Sequence, residues 1–270
     1  GGLQYRWVGE LSLAERHRLK SGLQASLNRL SRDFNSEISG ACAALVPLNQ
    51  SILQPPPEES YTARYLQLRE SSQAEPYFRA VARAVPSGND LKLRQLDMAT
   101  GLFRDAEWPA NWQPMRRRLQ ARWHQEGREP IKGPSPGGED LGMLLDIPRF
   151  VQVSAGTSAI PPVWRAAEWL IFELQPAHLR ENVLPELLRR HLGVEGSKEF
   201  QVELVTKTSP PQIIFSSDGV EVASIGKTAD ASVNVLDLQY ERILRRGLRN
   251  ITISRTSAPE WGRWTLSARH

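Results

Sequence analysis

WLIFELQPAHLRENVLPELLRRHLG, residues 169–193, reads as a strand that runs into a helix. Leu179, Val183, Leu184, Leu187, Leu188 and Leu192 fall at helical spacing and form one apolar stripe. Pro185 sits inside that stripe. A proline has no N–H for the carbonyl four residues back, and its ring crowds the same carbonyl. Pro176 suits a first helical turn and Gly193 a position past the end, so the outer limits are well marked. Pro185 then opens a second short helix, or it kinks a single one, and the spacing allows both.

Working outward, RFVQVSA (149–155) and EWLIFELQ (168–175) read as strands before this segment. FQVELVT (200–206) and QIIFSSD (212–218) follow it as a hairpin turning at Thr208 to Pro211. After a polar segment and a short helix near Leu236 to Arg246, RWTLSAR (263–269) supplies the last strand. Five strands interrupted by short helices predict an α+β fold, with a PAS/Cache-like antiparallel five-stranded sheet crossed by those helices.

The N-terminal region has a different pattern. Ser12 and Glu15 form a capping box that would start a helix. Leu19, Leu23, Leu27, Leu30, Phe34, Ile38, Ala41 and Leu45 continue it at steps of three and four that repeat every eleven residues, the pattern of a nearly straight helical seam. The helix would stop at Pro47 after about 34 residues, roughly 50 Å at 1.5 Å per residue. Such a seam serves as a long core helix or as a stalk that pairs with its copy in a homodimer. QPPPEES (54–60) is then a stiff linker. A second helix is expected from Tyr61 to about Arg83, broken near Pro76. A hairpin follows, made of LKLRQLD (91–97) and LFRDAEW (102–108), and a further helix over Pro109 to Gln125. EGREPIKGPSPGGED (126–140) reads as a surface connection. Residues 1–47, 48–138 and 139–270 thus separate as stalk helix, mixed α/β region and sheet domain.

Composition narrows the function. The net charge is +4, with acidic residues nearly matching basic ones, and no basic–aromatic platform suggests a nucleic-acid partner. Arg116, Arg117, Arg118 and Arg122 cluster on an expected helix, where a solvated face is the ordinary explanation. Cys42 is the single cysteine, which excludes an intramolecular disulfide and a cysteine-based metal cage. IGKT (225–228) lacks the glycine that a phosphate-binding loop places five positions before Gly226, where Glu221 stands. There is no nucleophile elbow and no H-E-x-x-H, and His191 suits a helix C-terminus. No catalytic or metal-ligating residue is assigned. The eight tryptophans are chiefly core and rim material. A pocket between sheet and crossing helices would want aromatic walls and an arginine, which makes Trp164, Trp169 and Arg180 the candidate ligand-binding residues.

Three stretches carry a family resemblance. LQYRWVGELSLAERHRLKSGL (3–23) resembles the segment just outside the first membrane span of a bacterial sensor histidine kinase. EWLIFELQPAHLRENVLPELLRRHLG (168–193) resembles the W-x-x-x-x-L-x-x-x-x-L-x-x-x-V-L-P-E-L-x-x-R-x-x-G signature of extracytoplasmic sensor regions in such kinases. WGRWTLSARH (261–270) is similar to the final strand that precedes the second span. The resemblance implies the periplasmic or extracellular sensor of a membrane-anchored two-component kinase, with spans flanking both ends. ATP would be used by the parent kinase and not by this region, which holds none of the kinase's catalytic motifs. The input would be a small-molecule or protein signal. A protein-interaction module of the same fold with a filled core is the alternative, and a soluble enzyme with an unrecognised cleft is a third reading.

Overall fold

The computed structural model describes residues 2–47, 51, 53–71, 77–125, 141–154, 163–220, 223, 225–236 and 262–270; residues 2–13, 125 and 164 are described through their backbone alone. The fold is α+β, with a long N-terminal helix and two antiparallel sheets of five and four strands. Helix α1 (Gly2–Leu45) is followed by α2 (Glu58–Glu70), β1 (Phe78–Ser87), β2 (Asp90–Leu96), β3 (Phe103–Ala106) and α3 (Gln113–Gln125). Next come β4 (Leu144–Ser154), β5 (Val163–Leu174), α4 (Pro176–His178), a π-helical turn (Leu179–Val183) and α5 (Leu184–Glu199). The chain finishes with β6 (Gln201–Thr206), β7 (Ile213–Ser216), β8 (Ala231–Val235) and β9 (Trp264–Arg269).

These elements form two compact units. A terminal unit holds α1 up to Ser36 with α5 and β6–β9, and a central unit holds α1 from Glu37 with α2, β1–β5, α3 and α4. The five strands expected in one sheet are therefore divided. β4 and β5 join β1–β3 in the order β3-β2-β1-β5-β4, while β6, β7 and β9 join β8 in the order β7-β6-β9-β8. Both sheets place their first and last strands side by side at the centre, the arrangement that lets a chain enter and leave through the middle of a sheet.

Two strands were hidden from the sequence reading. Phe78–Ser87 is β1 and not the end of a helix; its alanines at 80, 82 and 84 suggest helix, but all three are buried in a central strand. ASVNV, within the stretch that reads as a polar segment, is β8, although only its first and last residues are buried. The two hairpins read from the sequence are present, β2–β3 and β6–β7. The helix expected near Leu236 to Arg246, beyond Leu236 itself, and the connection at 126–140 lie outside the described residues.

In the terminal unit α1 covers the free edge of β8. Its Gln24 side chain donates to the Ser232 carbonyl (2.9 Å), Ser31 donates to the Asn234 carbonyl (2.7 Å), and Asn35 accepts from the Leu236 amide (2.8 Å). Residues 232, 234 and 236 present these groups away from β9, so a helix does what another strand would otherwise do. Leu23, Leu27, Leu30 and Phe34 are buried on the same helix, and Phe34 lies 6.3 Å from the Trp264 ring of β9. The seam is filled within one chain from Leu23 to Leu45, apart from half-buried Ala41, and Leu19 is 62% exposed. Ser12 does not begin the helix, which extends back to Gly2.

The opening segment combines both expected forms. Val183 keeps right-handed helical angles (φ −66°, ψ −55°), so no loop separates two helices at Pro185. Instead the turn before it widens to a π-helix over Leu179–Val183, which gives the proline ring room against the preceding carbonyls. The true break is Gly193, at φ 79° and ψ 172°, a region open essentially to glycine alone. Nothing lies within 4 Å of a Cβ added there, so Gly193→Ala should cost backbone strain only, about 1–3 kcal/mol. Gly196→Ala, three residues on and in helical conformation, should be neutral or stabilising by up to about 1 kcal/mol. Urea unfolding of the two variants measures the contrast.

Candidate functional site

Alternation along the central unit's strands sets up one charged row. Arg149 on β4 stands opposite Glu168 on β5, Arg83 on β1 opposite Arg94 on β2, and Arg94 opposite Asp105 on β3. Arg83 closes the remaining gap: its Nε and Nη2 donate to Glu168 Oε2 at 3.0 and 2.6 Å. The row thus crosses all five strands on one face. Buried charge of this kind requires pairing, because desolvating an unpaired ion costs several kcal/mol. Glu168 is 1% exposed, Arg149 2% and Arg83 7%.

Helix α2 supplies the remaining partners. Tyr61 donates its hydroxyl to Glu168 Oε1, and its ring lies 4.8 Å from the Arg83 guanidinium. Phe103 meets the same guanidinium at 5.6 Å, edge-on to Tyr61. Glu58, in the first turn of α2, reaches between the two adjacent arginines. Its Oε2 accepts from Arg83 Nη1 and Arg94 Nε, each at 2.6 Å, and its Oε1 accepts from Arg94 Nη2 at 2.7 Å. Arg94 Nη1 also donates to Asp105 at 2.6 Å. Burial, and then the Glu168 carboxylate, push the Tyr61 phenol well above its ordinary value. Hydrogen bonding to Glu58 raises Arg94 further. Ahead of β1, His178 packs edge-on to Tyr77 at 5.0 Å, and burial lowers its pKa.

The opposite face of the sheet carries α3. Arg122 binds Asp146 (2.7 Å), Arg116 binds Asp90 (2.6 Å), and Arg118 approaches Asp146 (3.9 Å). The arginine cluster is thus largely spent on fastening a helix whose Trp112, Met115 and Leu119 are buried. Trp169 is fully buried in β5, and its Nε1 has no hydrogen-bond partner. Trp164 pairs with Gln152 in the β4–β5 ladder, and its side chain lies outside the described residues. Arg180 belongs to the terminal unit, where its Nε donates to the Ile214 carbonyl (2.6 Å). Of the sequence candidates, Trp169 is thus a residue of the central unit, and Arg180, held by β7, is one of the terminal unit.

An open groove of about 620 Å³ lies in the terminal unit, between Arg18, Leu19 and Leu23 of α1 and His191, Leu192 and Phe200 across from them. His191 Nε2 meets Asp33 at 2.9 Å, a long-range pairing that a helix-terminus reading of this histidine missed. IGKT forms a turn in which the Thr228 amide donates to the Ile225 carbonyl. Among the described residues there is no group of side chains able to hold a metal ion, and no helix long and apolar enough to cross a membrane. No protein-family model and no curated protein matches the chain.

Two outcomes follow from the charged row. Glu168→Ala deprives buried Arg83 and Tyr61 of a shared acceptor and should destabilise by about 3 kcal/mol, read from urea unfolding. The raised Tyr61 pKa means the folded state keeps its phenolic proton after the unfolded chain has begun to lose it near pH 10. That contribution is complete below about pH 10 and declines above it, by up to about 1.4 kcal/mol per pH unit. Tyr61→Phe should flatten the alkaline slope of the stability–pH profile.

Proposed function

We propose that this chain is the extracytoplasmic signal-sensing region of a membrane-bound two-component histidine kinase, facing the periplasm or exterior, with no catalytic activity of its own. The observation that carries the reading is Asp230. One of its carboxylate oxygens takes Lys20 of α1 at 3.0 Å, and the other accepts the His270 backbone amide at 3.0 Å. The first helix and the last strand are therefore tied at one point, as suits a sensor whose two connections run to the same membrane surface. The three stretches similar to sensor kinases include both of these elements, and the paired central strands in each sheet suit tandem PAS/Cache-like units.

Signal transfer would use α1, a long helix that contributes to both units. Its seam from Leu23 to Leu45 is committed to the chain's own cores. A homodimer formed through α1 would therefore meet at Leu19 and the turns before it. A small-molecule or protein signal that favours one dimer arrangement would shift the population of kinase states.

A second reading, a protein-interaction module, is favoured by the sheet–helix layer beneath α2. That layer is occupied by the chain's own Tyr61, Arg83 and Glu168.

The test is disulfide cross-linking of Leu19→Cys in the membrane-embedded parent protein. Native Cys42 is fully buried and should stay silent. Cross-linking should change with every condition that changes kinase activity. A rate that is constant while activity varies would refute transfer through α1, and a parent gene without apolar spans around this region would refute the sensor assignment itself.

A further inference from the structure

Glu58 bridges two arginines of the sheet. Arg83 and Arg94 are cross-strand neighbours on β1 and β2, and two like charges in that relation repel unless an acceptor lies between them. The sheet fixes both guanidiniums. Three of their donors, Arg83 Nη1, Arg94 Nε and Arg94 Nη2, converge on a single carboxylate. That carboxylate does not come from the sheet. It arrives from the first turn of α2, directly after Pro55, Pro56 and Pro57.

Solvent reaches this end of the row. The Glu58 and Arg94 side chains are 28% and 31% exposed, against 1% for Glu168. Besides Glu58, Arg83 binds Glu168, and Arg94 binds Asp105 and the Phe103 carbonyl. Loss of Glu58 would therefore free three directed donors in a row whose other carboxylates stay in place.

We propose that Arg83 and Arg94 form a binding site for a small free carboxylate, and that Glu58 is its built-in competitor. Exchange of Glu58 for an incoming carboxylate would release the first turn of α2, while Tyr61 keeps the rest of the helix on Glu168. The inference deepens the sensory reading by naming a class of signal, and rests on it only for the consequence in the membrane. Binding is measured on this chain alone, so the two can fail separately.

Succinate is the probe, with neutral succinamide as control, and calorimetry the readout. Glu58→Ala removes the competitor, so its affinity for succinate should exceed that of the wild-type chain by about tenfold or more. The double variant Glu58→Ala/Arg94→Ala should lose the gain, and succinamide should bind neither protein. A folded Glu58→Ala chain that shows no gain, or a gain that survives loss of Arg94, would overturn the proposal. Should Glu58→Ala not fold, NMR of the wild-type chain decides. The Arg94 Nε–H resonance should move saturably with succinate and not with succinamide, and a resonance unmoved throughout the millimolar range refutes the site.

Discussion

A carboxylate at 1% exposure has to be matched, and the matching of Glu168 organises the central unit. Arg83 must come from the neighbouring strand, which fixes the β1–β5 register that joins the two halves of the sheet. Tyr61 must come from above, which sets the position and rotation of α2. Glu58 then falls over Arg83 and Arg94 because it lies one helical turn before Tyr61. Apolar packing alone would hold α2 with little rotational preference; its mean pattern has no strong apolar face, and only Tyr61 and Tyr65 are buried. The charged row supplies the direction that the hydrophobic effect lacks.

The terminal unit solves a different problem by similar means. β8 has one strand partner, β9, and its other edge would expose unpaired amides and carbonyls. Gln24, Ser31 and Asn35 answer them from one face of α1. Each such bond contributes about 0.5–1.5 kcal/mol net, less than the burial of Leu27 or Phe34 beside it. Their role is registration: leucines tolerate a slip along the strand, whereas three side chains aimed at alternate backbone groups do not. Leu236 shows the constraint most clearly. It has a positive φ of 65°, uncommon for a non-glycine residue, and its amide is held by Asn35.

Much of this was legible in the chain. The α+β class, the long helix with its seam, the two hairpins and the irregularity at Pro185 follow from local patterns with clear physical causes. Sheet membership did not, because β4–β5 and β6–β7 look alike in sequence and differ only in which distant strand they meet. β1 escaped because alanine carries helix propensity into a context where its small volume is what a central strand needs. The candidate site was the least legible part. Trp169 was singled out for its aromatic bulk and lies in the core, while Glu58, Arg83, Arg94 and Glu168 gave no motif. Their spacing in sequence is arbitrary, and only register brings them into one row.

The exposure gradient along that row separates structure from exchange. At the inner end, removing one member leaves an ion in a poorly polarisable interior, at a cost of about 3–5 kcal/mol, because Arg83 without Glu168 would keep only part-exposed Glu58 as its carboxylate. At the outer end, water screens the same interactions and an exposed pair contributes about 0–1 kcal/mol. Asp105, with its side chain 75% exposed, belongs to that limit. Glu58 lies between the two, near enough to solvent to be replaced and deep enough for its bonds to be directional. A carboxylate in solution has the same chemistry as Glu58 but not its tether. Exchange therefore balances the local concentration that α2 confers on Glu58 against the contacts that a larger acid can add. A linker of three prolines raises that local concentration by limiting where the first turn of α2 can go.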